Sequence, residues 1–467
     1  MLQALINVFR IAELRSKILF TLGLLAIYRI GHWIPLPGVN QEELARLFEQ
    51  SSQDGGPFGR AANFIAMFSG GTFSQSTVFG LGIMPYISAS IIIQLLTSVY
   101  PRLKKIQEEG PTGRQKILEW TRYLTIALCI IQGMGWLKFI TGSGQNLVYA
   151  NWAGHPLWWV MALSALTAGT VFLMWLGEQI DKYGIGNGVS MIIMAGIVAR
   201  IPFAIGDVYT NFGPGDETKM GWAGVIFLVC AFVGVVAGSV IMTVAQRRIP
   251  VQQAKHMKGK KVFGGQRSYL PLRVNHAGVM PIIFASSLMI FPSVIFGMLY
   301  NQTAQSLGFG NWLTRAFSWL SDNFQNGEFP FMVGETVMIY FFAYFWITVQ
   351  FNPEEMAKQL RDHGSFIPGL RPGPRTAEYL EAVMERITFV GATMLAVIAV
   401  LPSAISKGLG VDYGITQFLG GTGMLIVVSV VLDFVQRIEA NLLMRNYAGF
   451  LGAEGGSGPK IQSARSM

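Results

Sequence analysis

The chain alternates between long apolar stretches and shorter polar connections, and this pattern predicts its main elements. Ten stretches have about the 20 residues that a helix needs to cross the hydrocarbon core of a bilayer. They are residues 18–34, 76–98, 119–140, 155–177, 185–203, 221–244, 275–299, 332–351, 383–403 and 411–433. Runs such as Ile91-Ile92-Ile93 lack the alternation of a barrel strand, and lipid offers no partner to exposed backbone groups. The pattern therefore predicts an all-α polytopic membrane protein with ten transmembrane helices.

Composition supports the same class. Of the 467 residues, 51% are hydrophobic and only 13% are charged, with a mean hydropathy of +0.43. A soluble globular protein carries about 25% charged residues, so this chain has too little polar material to cover a soluble protein of its size. Disorder, a fibrous repeat and an ordinary soluble enzyme are excluded. The two cysteines, Cys129 and Cys230, lie inside apolar stretches and indicate neither a disulfide framework nor a metal cluster.

The positive charge is unevenly distributed among the connections. Lys and Arg concentrate before the first stretch, in the even-numbered connections and after the tenth stretch. The positive-inside rule then places both termini in the cytoplasm. Residues 1–17 carry apolar side chains at helical spacing and are predicted to form a cytoplasmic interfacial helix rather than a cleavable signal. Residues 434–467 form a cytoplasmic tail whose glycine-rich end is predicted to be disordered.

Three connections are longer than a helix hairpin needs. The segment 35–75 is external, whereas 246–274 and 352–382 are cytoplasmic by the same rule. Residues 246–274 contain eight Lys or Arg and no acidic residue. Long connections in compact proteins are usually functional or disordered, so the two cytoplasmic segments are predicted to form a docking surface. Their positive charge is also compatible with a partner that contains RNA.

The ten stretches divide into two sets of five. Because five is odd, the second set would enter the membrane in the opposite sense, as in an inverted repeat with its working path between the halves. The predicted organisation is listed here in chain order: the N-terminal half 18–203, a connection and sixth span 204–245, the basic loop 246–274, spans seven and eight 275–351, the docking loop 352–382 and spans nine and ten 383–433.

The sequence contains none of the common catalytic motifs. There is no nucleotide-binding P-loop, no H-E-x-x-H pair and no G-x-S-x-G nucleophile elbow, so an enzyme is not expected and no cofactor is implied. Charged residues in or near the spans lie towards the span ends; they are Arg29, Glu178, Glu335, Glu385 and Asp433. The apolar mid-spans favour an apolar constriction over an ion-binding site. An ion-coupled secondary transporter with inverted repeats is the alternative, and an intramembrane hydrolase a distant third.

Four segments carry a resemblance to a known family. Residues 82–96 resemble the second span of the SecY family of protein-conducting channels, and 184–188 resemble the opening of its fifth span. Residues 270–292 are similar to its sixth loop and seventh span, and 367–373 to its large eighth-to-ninth loop. The resemblance implies two pseudo-symmetric inverted five-helix halves around a central pore. It also implies a channel that passes unfolded secretory polypeptides across the bacterial inner membrane and releases membrane segments sideways through a lateral gate.

The resemblance also assigns roles to individual residues. It implies an apolar pore ring formed by Ile83, Ile87, Ile193, Ile283 and Ile426. It implies an external plug formed by Ala62, Asn63, Phe64, Ile65, Ala66, Met67, Phe68, Ser69, Gly70, Gly71 and Thr72. It implies a lateral gate between spans two and seven that includes Ser88, Gln94, Ser286, Ser287 and Phe291.

The family's partners give the two cytoplasmic loops an expected use. Lys260, Lys261 and Arg371 match the positions that dock the ribosome, through its RNA, or the motor ATPase SecA. Small membrane subunits similar to SecE and SecG, signal sequences, nascent polypeptides and membrane lipid are the other implied partners. The chain itself is expected to be passive, because it has no nucleotide site.

Overall fold

The computed structural model describes residues 11–44, 46, 76–142, 147–149, 151–152, 155–210, 212–213, 221–253, 256–258, 261–263, 267–276, 278–307, 311–324, 328–409 and 421–451. The helices are α1 (Ala12–Gly31), α2 (Met84–Val99), α3 (Pro101–Glu108), α4 (Pro111–Gly142), α5 (Pro156–Tyr183), α6 (Gly188–Val198), α7 (Ile201–Thr210), α8 (Trp222–Val244), α9 (Met280–Leu307), α10 (Trp312–Asn323), α11 (Phe329–Gln350), α12 (Pro353–Asp362), α13 (Pro374–Leu409) and α14 (Thr422–Leu451). The strands are β1 (Gln246–Gln253), β2 (His256–Lys258), β3 (Lys261–Phe263), β4 (Arg267–Arg273) and β5 (Ser365–Phe366).

Each of the ten predicted apolar stretches overlaps at least one helix, and the polytopic helical membrane fold is confirmed. The overlapping helices are α1, α2, α4, α5, α6 with α7, α8, α9, α11, α13 and α14. By length and hydropathy, five segments of the described chain could each cross a membrane: Pro156–Tyr183, Gly188–Thr210, Gly224–Val244, Phe329–Asp362 and Pro374–Leu401. Two further apolar segments are shorter: Met84–Val99, which is α2, and Met280–Met289, which is the first part of α9.

Several helices extend beyond the predicted stretches. Helix α4 begins at Pro111 rather than near residue 119, and α13 begins at Pro374 rather than near 383. These added turns are rich in charged residues, so hydropathy does not detect them, although a helix continues readily beyond the hydrocarbon core. The predicted interfacial helix 1–17 lies mostly outside the described residues, and the described part begins α1 at Ala12.

The fifth predicted span is two helices instead of one. Helix α6 ends at Val198 and α7 begins at Ile201, with Ala199 capping the first of them. Pro202 explains the break, because proline has no backbone N–H to donate and disfavours the helical conformation at the preceding residue. Helix α7 still contributes to the buried core of the bundle, through Ala204.

Helix packing divides the bundle into two groups. In the first, α5 packs against α1, α4 and α6, and α4 packs against α2. In the second, α11 packs against α9 and α13, and α8 packs against α13 and α14. Close packing between the groups occurs where α6 meets α14. Arg437 of α14 also donates a hydrogen bond to the carbonyl of Gly186 at 3.5 Å, at the turn that precedes α6.

The basic loop forms a β-sheet, which the prediction of an all-α chain did not include. Strands β1 and β4 pair antiparallel from Gln246↔Arg273 to Gln252↔Arg267, and β2 pairs with β3 beyond them. Strand β5, from the second long loop, adds to the other edge of β1. Ile249, Val251 and Leu272 are buried against the ends of α11 and α13. The two loops are therefore joined in one structure, which we call the basic end of the bundle.

One close backbone contact yields a stability prediction. A Cβ added at Gly169 of α5 would lie 2.1 Å from the carbonyl oxygen of Val78. We expect Gly169→Ala to destabilise the fold by about 1–3 kcal/mol, because the packed segment must shift. Gly135→Ala in α4 is the matched control, since nothing lies within 4 Å of its Cβ. Thermal unfolding followed by tryptophan fluorescence should show a lower midpoint for Gly169→Ala alone; equal midpoints would contradict the prediction.

Candidate functional site

The five isoleucines of the predicted ring are brought together in one buried apolar cluster. Their exposed fractions lie between 1% and 5%. Ile83 and Ile87 come from the start of α2, Ile193 from α6, Ile283 from α9 and Ile426 from α14. The cluster thus includes side chains from both helix groups. A constriction between two halves remains the prediction for these five residues.

The surrounding cluster is apolar and draws on most of the bundle. Its other members include Leu176 from α5, Val235 from α8, Phe342 from α11 and Leu395 from α13. Apolar walls of this kind offer no replacement for the hydration shell of an ion. The side chains of this cluster therefore offer no ligands to a small ion.

Polar caps fix the start of α6 and so the position of Ile193. The side chain of Asn187 accepts a hydrogen bond from the backbone N–H of Ser190 at 3.1 Å. The carboxylate of Asp181, from the end of α5, accepts from the N–H of Gly188 at 2.7 Å. Both bonds satisfy donors that the first turn of a helix leaves free. A Cβ at Gly188 would lie 2.0 Å from the carbonyl oxygen of Gly177, so glycine permits this tight turn between α5 and α6.

The predicted gate residues lie on helices that belong to different groups. Ser88 and Gln94 are half-buried on α2, and Gln94 donates to Ser90 at 3.3 Å. Ser286 and Ser287 are buried on α9 and donate to the carbonyls of their own helix, at 2.6 Å to Ile282 and Ile283 respectively. The serines therefore need no partner from a neighbouring helix. Phe291 lies within α9, but its side chain is outside the described residues.

Helices α2 and α9 are packed within their own groups. Helix α2 packs closely along α3, α4 and α5, and α9 along α10, α11 and α13. Small polar side chains at a helix seam allow approach without a strong apolar drive for association. The packing of α2 and that of α9 therefore depend mainly on helices of their own groups.

Two charged features were not predicted as parts of a site. Arg122 of α4 and Glu178 of α5 form a two-pronged ion pair, with N···O distances of 2.8 and 2.6 Å. Glu335 of α11 is buried, with 6% of its surface exposed. Within the described ranges, no group of three or more His, Cys, Asp or Glu residues could hold a metal ion.

The basic end presents exposed arginines on an ordered sheet. Arg247, Arg248 and Arg267 are exposed on β1 and β4. Arg371 is exposed in the second loop, where its carbonyl accepts a hydrogen bond from the Thr376 hydroxyl at 2.9 Å. Lys261 begins β3, but its side chain is outside the described residues, as are all of Lys260 and the predicted plug 62–72. Alternating Ile249 and Val251 was the signal that could have identified β1.

Comparison with known proteins decides the family. The SecY family model matches residues 77–435. The SecY translocase subunit of Chlamydia trachomatis is 41% identical over 95% of this chain and 97% of its own length. The chain belongs to the SecY family. The corresponding subunits of Streptomyces coelicolor and Thermotoga maritima are 42% and 38% identical, each over 97% of this chain and over 100% and 98% of their own lengths.

Solved structures agree with the SecY fold. A protein-conducting channel is similar with a TM-score of 0.58 over 94% of both chains, at 18% sequence identity. Canine Sec61, solved in a ribosome–channel complex, is similar with a TM-score of 0.53 over 94% of both chains, at 16% identity. At these sequence identities the similarity establishes the arrangement of the helices. It does not assign roles to individual residues.

Proposed function

We propose that this chain is the protein-conducting channel of a bacterial translocase, and that the five isoleucines form its seal. The observation that carries the proposal is the buried apolar cluster that joins Ile83, Ile87, Ile193, Ile283 and Ile426 from four helices and both helix groups. As a SecY-family channel subunit of the bacterial inner membrane, the chain is a passive conduit and not an enzyme. Unfolded secretory polypeptides pass between the two groups when the cluster parts.

The seam between α2 and α9 supplies the sideways exit. A translocating segment held in an open seam meets lipid on one side. There, an apolar residue gains about 0.3–0.6 kcal/mol and a charged residue loses about 2.5–3.5 kcal/mol at the bilayer centre. Composition alone then sorts membrane segments from secreted ones. The half-buried Ser88 and the internally bonded Ser286 and Ser287 support this role.

An ion-coupled transporter is not favoured. Glu335 is the buried acid of α11, and in the part of the chain that the structure describes it belongs to no group of acidic, His or Cys residues that could hold a metal ion. The family relationship also points to polypeptide rather than ion transport. A plug at residues 62–72 and the division into loops and spans given above remain predictions.

Reconstitution tests the channel assignment directly. The chain would be purified with its SecE-like and SecG-like subunits and placed in proteoliposomes with SecA, ATP and a radiolabelled preprotein. Protease protection of the preprotein is the expected result, and it should require the chain. Saturable uptake of a small solute without preprotein protection would support the transporter instead.

The basic end is proposed to dock the ribosome or SecA. Eight Lys or Arg without an acid in 246–274 give this surface a strong attraction for RNA phosphate and for acidic protein surfaces. Because β5 pairs with β1, Arg371 is held on the same body as the hairpin arginines. The excess of positive charge in these segments supports a cytoplasmic position for this end of the bundle and for both termini.

Charge reversal at this surface is expected to weaken docking. Combining Lys260→Glu, Lys261→Glu and Arg371→Glu should lower ribosome affinity, and the parent's affinity should fall as salt is raised. The control combines Arg102→Glu, Lys104→Glu and Arg114→Glu, because these exposed side chains lie in α3 and at the start of α4, outside both loops, and their reversal changes the net charge equally. Sedimentation of ribosomes with proteoliposomes measures both variants. Equal loss of binding in the two variants would show that net charge, rather than this surface, controls docking.

A further inference from the structure

Helix α10 is a short amphipathic helix at the end of the bundle opposite the basic sheet. Helix α10 packs along α9, with Phe296 and Phe324 in edge-to-face contact at 5.2 Å between ring centroids. Its buried face includes Thr314 and Ser321. The opposite face is exposed and is not covered by any described part of the chain.

The exposed face has an ordered pattern of side chains. Trp312, Arg315, Trp319 and Asp322 follow one another at spacings of three, four and three residues, so they form one stripe along the helix. Trp312 is 73% exposed and Trp319 is 59% exposed. An exposed pair of tryptophans on an amphipathic helix is typical of a segment that lies at the boundary between lipid and water.

The length of α9 places this stripe at that boundary. Its 28 residues extend about 42 Å, whereas the hydrocarbon core is about 30 Å thick. Tyr300 is twenty residues from Met280, or about 30 Å along the helix axis. Tyr300 also lines a cavity between α9 and α10. With Met280, the first residue of α9, placed at the cytoplasmic edge of the hydrocarbon core, the cavity lies at the depth of the lipid headgroups of the opposite leaflet.

The cavity is lined by one cationic and one anionic side chain, which complement the two charges of a zwitterionic headgroup. Its volume is about 280 Å³, and it is lined by Tyr300, Thr314, Arg315, Ser318, Trp319 and Asp322. Within the described residues, neither Arg315 nor Asp322 takes part in an ion pair. Ser318 donates a hydrogen bond to one oxygen of Asp322 at 3.2 Å, which leaves the other oxygen able to accept. An unpaired cation and an unpaired anion therefore lie two helical turns apart on one cavity wall.

We propose that this cavity binds the headgroup of one outer-leaflet phospholipid that carries a phosphate and a primary ammonium, as phosphatidylethanolamine does. Arg315 binds the phosphate, because its guanidinium donates two parallel hydrogen bonds to phosphate oxygens. Asp322 accepts a hydrogen bond from the ammonium, and the Trp319 ring attracts the same cation through its π face. The acyl chains then lie along α9, and the bound lipid covers the exposed stripe.

Native mass spectrometry of the purified complex in detergent tests the site. The probes are dioleoyl phosphatidylethanolamine, the matching phosphatidylcholine and phosphatidylglycerol, and inorganic phosphate. The parent should retain one phosphatidylethanolamine in preference to the other two lipids, and phosphate should not displace it. Arg315→Gln should weaken retention about tenfold, as expected for loss of charge-assisted hydrogen bonds. Asp322→Asn should remove the preference for ethanolamine while leaving binding of phosphatidylglycerol unchanged.

Lys138→Gln is the control, because Lys138 is exposed near the corresponding end of α4 and loses the same charge. It should retain phosphatidylethanolamine as the parent does. Trp319→Phe keeps the apolar body of the side chain and should weaken retention less than Arg315→Gln does. Unchanged retention in Arg315→Gln, equal retention of choline and ethanolamine lipids by the parent, or displacement by phosphate alone would each overturn the proposal. Preprotein transport does not enter the readout, so the result is independent of the proposed channel function.

Discussion

Replacing Ile283 with asparagine will make membranes that contain this channel permeable to small ions. Ile283 lies in the apolar cluster between the helix groups, with 4% of its surface exposed. A polar amide at that position offers hydrogen bonds to water, so the constriction becomes wet and ions can enter with their hydration shells. Planar-bilayer conductance of the idle channel should rise clearly above that of the parent. Weak signal sequences should also become acceptable, since the closed cluster is less stable.

The neighbouring isoleucine provides a matched control. Ile282 has the same side chain on the same helix, is fully buried and belongs to the same cluster. Burying an unpaired amide costs about 1–3 kcal/mol, so both variants should unfold at lower temperature. The ring proposal requires ion leak from Ile283→Asn and not from Ile282→Asn. Equal leak from both would mean that loosened packing, rather than a polar residue at the seal, opens the path.

The second large effect concerns the seam between α2 and α9. A disulfide that joins Ser88→Cys to Phe291→Cys should stop both translocation and membrane insertion, because the two groups can then no longer separate. Reduction should restore both. The variants are built on Cys230→Ser, since Cys230 is exposed whereas Cys129 is buried. Transport of a preprotein, measured by protease protection before and after reduction, decides the outcome.

The two single variants, Ser88→Cys and Phe291→Cys, separate the effect of the gate from that of the oxidant. Each carries one of the two introduced thiols and therefore cannot form the bridge. Oxidation should leave transport intact in both single variants. Continued transport with the Ser88–Phe291 bridge fully formed would place the exit at another seam.

Much of the fold could be predicted because lipid restricts the choices of the chain. A stretch that crosses lipid has to be helical, and each of the ten predicted apolar stretches overlaps at least one helix. The basic hairpin escaped prediction for a local reason. Pro250 and Pro271 lie inside β1 and β4, and proline within a run argues against a strand. Both prolines are exposed. Strand β4 lies at the edge of the sheet and pairs with β1 alone, so Pro271 is tolerated in it.

The candidate site was predicted less directly. Spacing along one helix relates Ile83 to Ile87, but no pattern within a span tells which face meets another helix. The resemblance to a family supplied the grouping of five isoleucines, and the structure then placed all five in one cluster. The cavity beside α10 was missed because its residues lie in the connection between two predicted spans, where the search for apolar stretches does not look. Only the packing of α10 on α9 brings Tyr300 next to that stripe.

The pairing of β5 with β1 affects the entropy of docking. Two separate flexible loops would each lose conformational freedom when a partner binds, at about 0.5–1.5 kcal/mol for each side chain immobilised. Here the register Gln252↔Phe366 and Gln253↔Ser365 holds both loops in one body before any partner arrives. Much of that ordering cost is therefore met during folding of the chain. A ribosome or motor that docks as proposed would meet a preorganised surface, and its residence time would reflect the contacts themselves rather than the cost of ordering the loops.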